Sequence, residues 1–533
     1  MGRWSPVSNF SRDEMIARAD GASFDVLVVG GGATGLGVAV DAASRGYRVC
    51  LLEAHDFAKG TSSRSTKLVH GGVRYLEQLD ISLVMEALHE RGLMHQNAPH
   101  LVHDLAFLVP RYTWWEGPFY GAGLKLYDVL AGKRNLAPSR MLSREATIEA
   151  IPNVAREGLL GSIEYHDGQF DDARMALTLA RTAADHGAVV VNFARVTGLS
   201  KDARGTISGV TAMDSESGRS FEVHATVVVN ACGIFSDELR VLDDGRATRM
   251  IEPAQGVHLV FDRSLQPSDR AIMVPHTDDG RVLFVIPWHE RIVVGTTDTP
   301  MKSPDIEPRA LPDEVEFILR NAGRYLESEP TRADVRAIYA GMRPLVHEGG
   351  IDSPTKSISR SHKVVVSASG LVSIMGGKWT TYRRMAQDTM DRVIDVGQLD
   401  RRPCATEQLQ LHGWLARDDA ATPQQEWMRV YGSDAAALKG VCCEQEGWKQ
   451  PMHARLPYAL GAAAFAVRHE MARSTEDVLA RRTRALLLDA AAASEVARAV
   501  SKVVARELGR DDAWAARDAR AFQTLAQGYQ LAP

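Results

Sequence analysis

The chain has 533 residues, 45% hydrophobic and 24% charged, with a formal net charge of −5. That length exceeds one ordinary core and implies two or three domains, and the charge balance argues against a nucleic-acid binder, which carries a basic domain. Five cysteines without a CxxC pair exclude a disulfide framework and a zinc ribbon, and fit a reducing cytosol with buried or inert thiols; adjacent Cys442 and Cys443 are the only redox candidates.

The first predicted element is a short helix in "SRDEMIARAD" (11–20), with Ser11 and Glu14 in a capping-box pattern. This polar segment precedes the apolar run, so the order of a signal peptide is not met. The run from Phe24 to Ala43 is long enough to span a membrane but holds five glycines and two aspartates. Its first half is β-branched and its second half is helical, which predicts a strand, a turn and a helix. Gly30, Gly32 and Gly35 form G-x-G-x-x-G in that turn. The first glycine permits the turn, the second admits a pyrophosphate to the backbone, and the third lets helix and strand pack closely. The helix then presents free N–H groups and a positive dipole end to phosphate. A second strand, "YRVCLLE", ends in Glu53, eighteen residues past Gly35, where a carboxylate can accept hydrogen bonds from adenosine ribose hydroxyls. The motif by itself does not separate FAD from NAD.

"GTSSRSTKLVHGGVRYLE" (60–77) crowds Thr61, Ser62, Ser65, Lys67, His70, Gly71, Gly72, Arg74 and Tyr75 together. Such a density of donors is hard to bury unless a ligand satisfies them, although a solvated loop is the plain alternative. "YTWWEGPFYGAGLKLYDVLAGKRN" (112–135) joins aromatics to Lys125, Lys133 and Arg134. It reads either as a membrane-interface helix or as a buried aromatic helix with a basic rim. His166 and Asp171 in "IEYHDGQFDDARM" read as a structural turn into a helix. "ATVVVNACG" (225–233), with Ala231 and Gly233, reads as a strand passing close to adenosine or phosphates, or as a plain core strand.

"VHLVFD", "RVLFVIPW" and "RIVVGTTD" are separated by turn signals and predict an antiparallel sheet. "GGKWTTYR" (376–383) places Lys378 after Gly376 and Gly377, but Gly370 lies six residues before Gly376 and Trp379 follows the lysine, so it is not an NTPase P-loop. Thr380 and Thr381 begin a helix. Residues 395–410 read as a linker. Residues 411–533 predict helices, one capped by Ser474 and Asp477 with Val478, Arg482 and Leu486 at helical spacing. Its basic residues Arg481, Arg482 and Arg484 read as a solvated or intersubunit face.

The glycine turn and the 60–77 segment, followed in order by "GVHLV" (256–260), "VVGTTDTP" (293–300), "AGMRPL" (340–345), "SISRSHKV" (357–364) and "GGKWTTYR", resemble the FAD-dependent, quinone-linked glycerol-3-phosphate dehydrogenase family. The likeness covers residues 24–385, and "STEDVLARRTRALLLD" (474–489) resembles that family's helical tail. The chain departs from the family pattern at Val73, Cys232, Ile234–Phe235, Ser361 and Trp379.

The resemblance implies an α/β fold. An FAD-binding Rossmann-like domain of the glutathione-reductase/D-amino-acid-oxidase type would come from 24–100, 165–250 and 350–392. An antiparallel-sheet substrate domain would come from 100–165 and 250–350, and a C-terminal all-α domain from 395–533. It implies sn-glycerol 3-phosphate as substrate, with Arg343 and Arg360 on the phosphate through their planar forks. His258 is the candidate proton acceptor, with Tyr75 or a water as alternatives, and Arg74 and Tyr75 wall the pocket. It places Gly30, Gly32, Gly35, Glu53, Thr61, Ser62, Ser65, Lys67, His70, Gly71, Gly72, Ala231, Gly233, Gly377, Lys378 and Thr380 on the cofactor, Lys378 with its charge toward reduced flavin. The expected partner is a quinone at the membrane surface, in a homodimer or monomer held to the cytoplasmic face of the inner membrane or free in the cytoplasm. No nucleic acid, metal or spanning helix is expected. An oxygen-using oxidase and a non-catalytic FAD scaffold are the competing readings.

Overall fold

A computed structural model describes residues 10–72, 81–347, 358–359 and 362–531. Arg74, Tyr75 and Arg360 lie outside the described residues.

Two large sheets carry the molecule. The first has strand Ser23–Val29 at its centre. This strand pairs in parallel with Ser220–Asn230 on one side and Val49–Leu52 on the other, and the parallel ladder continues to Val372–Gly376 and Val189–Val191. Helices cover the sheet, so its central strands read as near-continuous Val and Leu, as parallel strands buried on two faces do. Helix Ala33–Ser44 leaves the first strand through the glycine turn and packs against helices Tyr382–Gly397 and Asp172–Asp185. Strands Ala194–Lys201 and Ile207–Asp214 extend this sheet antiparallel.

The second sheet has eleven strands and is antiparallel except where Ala271–Val274 meets Val102–Arg111. Its long ladder, Ile251–Asp262 against Val335–His347, sets Gly256 opposite Gly341 and His258 opposite Tyr339. On its other edge His258 faces Gly295 of strand Arg291–Gly295. His166 sits within strand Gly161–Phe170, not in a turn as the sequence suggested, and Asp171 caps the helix that follows by accepting from the Arg174 amide at 3.0 Å.

Residues beyond 411 are mostly helical, with a two-stranded ribbon of Pro451–His453 and Leu456–Ala459. Several sequence expectations are corrected here. Ser11 precedes helix Arg12–Ala19 but makes no side-chain cap bond. The 395–410 stretch is packed rather than free: Arg402 donates to the Arg45 carbonyl and lies over the Tyr47 ring, and Arg45 donates to the Arg402 carbonyl. Residues Asp477–Arg482 form a π-helical turn, so the simple 3.6 spacing fails there. Arg481, Arg482 and Arg484 are buried, not solvated. Burial is possible because carboxylates meet them. Asp56 takes Arg481 at 2.5 Å and also Arg482, Asp477 takes Arg481 at 2.6 Å, and Asp171 takes Arg484 at 2.5 Å.

All five cysteines are free. Cys50 and Cys442 are buried and Cys443 is exposed. Among the described residues no helix is long and apolar enough to cross a membrane. The aromatic helix Glu116–Ala131 divides its side chains between the two readings left open by the sequence. Tyr120, Leu124 and Tyr127 are buried, whereas Trp114 just before the helix is 81% exposed and Phe119 is 54% exposed.

Candidate active site

The nucleotide end forms where the first strand stops. Gly30 takes a φ of +111° that other residues resist, and a Cβ there would strike the Ala231 carbonyl. A Cβ on Gly35 would strike the Gly30 carbonyl, so the helix start and the strand end approach as closely as backbone allows. The Glu53 carboxylate accepts from the Gly31 amide at 2.6 Å and the His55 amide at 2.8 Å. Burial pushes the Glu53 carboxyl up from its ordinary range, and those two amides oppose it. Ser62 Oγ accepts from the Ala33 amide at the helix start, 2.9 Å away. Gly32, Ala231 and Gly233 complete this turn-on-turn packing: a Cβ on Gly32 would press Ser62 Oγ, the Ala231 amide bonds the Val29 carbonyl, and Gly233 has a φ of +56°.

A cavity of about 380 Å³ opens next to this end, between the two sheets. Thr61, Ser65, His70, Gly72, His258, Arg343, Gly377, Lys378 and Thr380 line it. Residues 310 apart in the chain therefore share one wall, and a 3.3 Å bond from the His70 amide to Thr380 Oγ1 ties them. The segment 60–72 is the hub. Thr61 donates to the Met342 carbonyl at 2.5 Å, the Trp379 indole donates to the Ser62 carbonyl at 2.9 Å, and the Gly71 amide donates to the Tyr127 hydroxyl at 2.8 Å.

Lys67 does not line the cavity. It is fully buried with a φ of +65°, and its Nζ bonds both Asp172 oxygens at 2.8 Å and the Ser63 carbonyl at 2.6 Å. Burial pulls the ammonium down and pushes the Asp172 carboxyl up; the two-oxygen contact holds them as an ion pair. Asp172 also accepts from Ser65 through its amide and hydroxyl. Lys67 thus fixes the loop that walls the cavity.

His258 lies in the middle of its ladder and is buried. Its ring stacks on Tyr339 at 4.7 Å and an interplanar angle of 13°, and its Nε2 is 2.9 Å from Thr66 Oγ1. A Cβ on Gly295 would collide with the ring. Nδ1 is buried and has no hydrogen-bond partner among the described residues. Burial first, then the charges of Lys67 and Arg343, hold His258 well below its ordinary pKa, so the imidazole is neutral. The hydrogen between Nε2 and Thr66 Oγ1 belongs to either atom, so the neutral ring keeps one nitrogen as an acceptor in each tautomer. Arg343 reaches past Gly256, where any side chain would block it, and donates to Asp298 at 3.0 Å and Thr296 at 3.3 Å.

Residues 25–383 match the family described as FAD dependent oxidoreductase, and residues 371–515 match the C-terminal domain of alpha-glycerophosphate oxidase. The chain is 39% identical over 538 residues to the probable mitochondrial glycerol-3-phosphate dehydrogenase of Caenorhabditis elegans, covering 96% of this chain and 73% of that one. It is 40% identical to a mitochondrial glycerol-3-phosphate dehydrogenase of Arabidopsis thaliana, covering 94% and 86%. The chain belongs to the FAD-dependent glycerol-3-phosphate dehydrogenase family. The glycerol-3-phosphate dehydrogenase of Bacillus halodurans complexed with FAD superposes with a TM-score of 0.80 at 30% identity, over 97% of each chain. An L-alpha-glycerophosphate oxidase from Mycoplasma pneumoniae shares the fold at 19% identity and covers 70% of this chain.

As a member of that family the protein takes FAD, and its residues fit the group. The glycine turn admits nothing larger than hydrogen at Gly30 and Gly35, the Glu53 carboxylate is held beside it by the Gly31 amide, and the cavity is lined by Gly377–Thr380. Sequence reasoning missed several cavity residues: Arg64, Thr66, Arg281, Thr296 and Asp298. Thr296 and Asp298 lay inside the quoted "VVGTTDTP", where their motif was a signal. Arg281 precedes a strand in a turn, and only its bond to the Asp298 carbonyl at 3.0 Å reveals it.

Proposed function

We propose that this protein oxidises sn-glycerol 3-phosphate to dihydroxyacetone phosphate and passes the electrons to a lipid-soluble quinone. The observation that carries the reading is the pairing, in one cavity, of a phosphate-suited guanidinium at Arg343 with a neutral, buried imidazole at His258. FAD, when bound, supplies the hydride acceptor. Arg343 grips the phosphate, and its bonds to Asp298 and Thr296 set the fork's plane before the substrate arrives. Lys378, at the start of the Trp379–Thr381 turn, sets positive charge beside the cavity. His258, held by Thr66 and stacked on Tyr339, accepts the C2 hydroxyl proton.

The exposed Trp114, Trp115 and Phe119, with exposed Lys125 further along the same helix, suit the headgroup boundary of a bilayer. We read this face as the membrane contact of a peripheral protein. Anaerobic mixing with sn-glycerol 3-phosphate should bleach the flavin band, and quinone should restore it much faster than oxygen. Flavin that stays yellow under substrate would overturn the dehydrogenase reading; rapid return of colour with oxygen alone would overturn the quinone assignment.

A further inference from the structure

Stability alone does not account for Lys67 and Asp172. Both side chains are shut from water. Taking an ammonium and a carboxylate out of water costs more than their attraction commonly returns, and an apolar pair of the same volume serves a core at least as well. Lys67 adds a φ of +65°, in the left-handed region that a side chain disfavours. Strain of this kind collects where a site needs a group in one place.

What the pair holds is the surroundings of His258. Three consecutive residues take part. Ser65 gives its amide and its hydroxyl to Asp172 Oδ2 at 3.0 and 2.7 Å. Thr66 sets its hydroxyl 2.9 Å from His258 Nε2. Lys67 gives its ammonium to both Asp172 oxygens at 2.8 Å and its amide to Ser65 Oγ at 3.0 Å. One carboxylate therefore clamps Thr66 from both sides. The ammonium also lies 5.1 Å from the centre of the Tyr339 ring and 5.1 Å from that of Trp288. Tyr339 is the ring that stacks on His258, and its hydroxyl donates to the Ser65 carbonyl at 3.1 Å. A cation, an aromatic ring and an imidazole are thus joined in series, and one short loop fastens all three.

We propose that the Lys67–Asp172 ion pair is the positioning device of the proton acceptor: it fixes Thr66 and Tyr339 against His258 and keeps a positive charge near the ring, so that the imidazole meets the substrate hydroxyl unprotonated. This rests on the reading of His258 as the acceptor and deepens it by naming what sets its basicity. A cation near an imidazole disfavours the protonated form. Strand Val335–His347 brings Tyr339 and Arg343 to the site. The 60–72 segment brings Lys67 with Asp172, His70 on the cavity wall, and Arg64, which turns to Glu307 at 2.6 Å. Strand Arg291–Gly295 sets Gly295 opposite the ring, and on the strand of His258 itself Glu252 meets His347 and Asp262 meets Arg336. The charges that act on the ring are those of Lys67 and Arg343. A bound phosphate dianion offsets Arg343, so Lys67 is the cation that keeps acting on His258 once the substrate is in place.

The test follows anaerobic bleaching of the FAD-loaded protein at saturating sn-glycerol 3-phosphate as the pH is lowered. Lys67→Met should move the acid limb of the bleaching rate up by about one pH unit. Lys67→Arg keeps the charge and should leave the limb at its wild-type position. Lys67→Met/Asp172→Leu removes both charges; it should unfold at the wild-type denaturant midpoint or above it, and yet show the upward move. FAD retention should match the wild type in all three. His258→Gln is the control for the underlying reading and should abolish the limb. If His258→Gln keeps the wild-type limb, the ring is not the acceptor, and that reading and this inference fall together. If His258→Gln abolishes the limb but Lys67→Met leaves it in place, the pair serves packing alone and only this inference fails. It fails equally if Lys67→Arg shifts the limb as far as Lys67→Met, or if the double variant sheds its FAD.

Discussion

The glycine turn and the C-terminal arginine run both press on the segment that follows Glu53, and they do so by opposite means. The turn works through what is missing: without a Cβ at Gly30 and Gly35, two backbones touch. The run works through what is added. Three guanidiniums from residues 481–484 enter the interior and are held by Asp56, Asp477 and Asp171. The turn is a local device whose partners lie within a few residues or on the adjacent strand. The run is a long-range device, more than 400 residues from Asp56 along the chain. The difference teaches that a motif announces itself only when its chemistry is spelled next to it.

The comparison breaks first at the arginines. Arg482→Met should leave Asp56 with one cation where it had two, deep in the structure, and cost about 3 kcal/mol. Chemical denaturation of the holoprotein would reveal this, and an unchanged midpoint would mean that Arg481 alone suffices. Arg343→Ala removes a guanidinium that is already oriented, and should cost about 2–4 kcal/mol in kcat/KM for the phosphorylated substrate. Unchanged capture would take Arg343 out of the clamp. Gly35→Ala forces apart two backbones and should cost about 1–3 kcal/mol, seen as weaker FAD retention in equilibrium dialysis.

His258 sharpens the contrast between a positioned group and a titrating one. Its folded pKa lies well below 6.5, chiefly through burial. The unfolded chain therefore binds a proton that the folded chain refuses as pH falls through 6.5. The stability conferred by neutral His258 is intact above that value and declines below it. His258→Gln should flatten the acid limb of the stability–pH curve by at most about 1.4 kcal/mol per pH unit. An unaltered limb would mean that other buried histidines, such as His100, held at about 3 by burial, dominate it. The smallest expected effect on stability is that of Trp114→Ser, within about 0.5 kcal/mol for an 81%-exposed side chain. The same change should reduce flotation with anionic vesicles, and unchanged flotation would remove Trp114 from the lipid contact.

The parallel core was legible because buried strands such as "DVLVVG" and "ATVVVN" are continuous apolar runs beside small-residue turns. The second sheet was legible from the turn signals that separate "VHLVFD", "RVLFVIPW" and "RIVVGTTD". The environment of His258 was not. Its partners Thr66, Gly295 and Tyr339 come from three separate segments, and only the strand register brings them together. Lys67 was legible as a residue of interest but not as an ion pair, because Asp172 is 105 positions away. The arginine run misled because exposed and buried charge look alike until the opposing carboxylates are located.

That run also determines what a cut would do. Residues 418–421 form an exposed turn just before the helical layer, an open invitation to a protease. Scission there would sever one covalent link and no more. Two counter-ions of the downstream arginines, Asp56 and Asp171, sit inside the upstream piece, so the two halves should co-migrate on a sizing column until acid or denaturant dissolves the charge bonds between them.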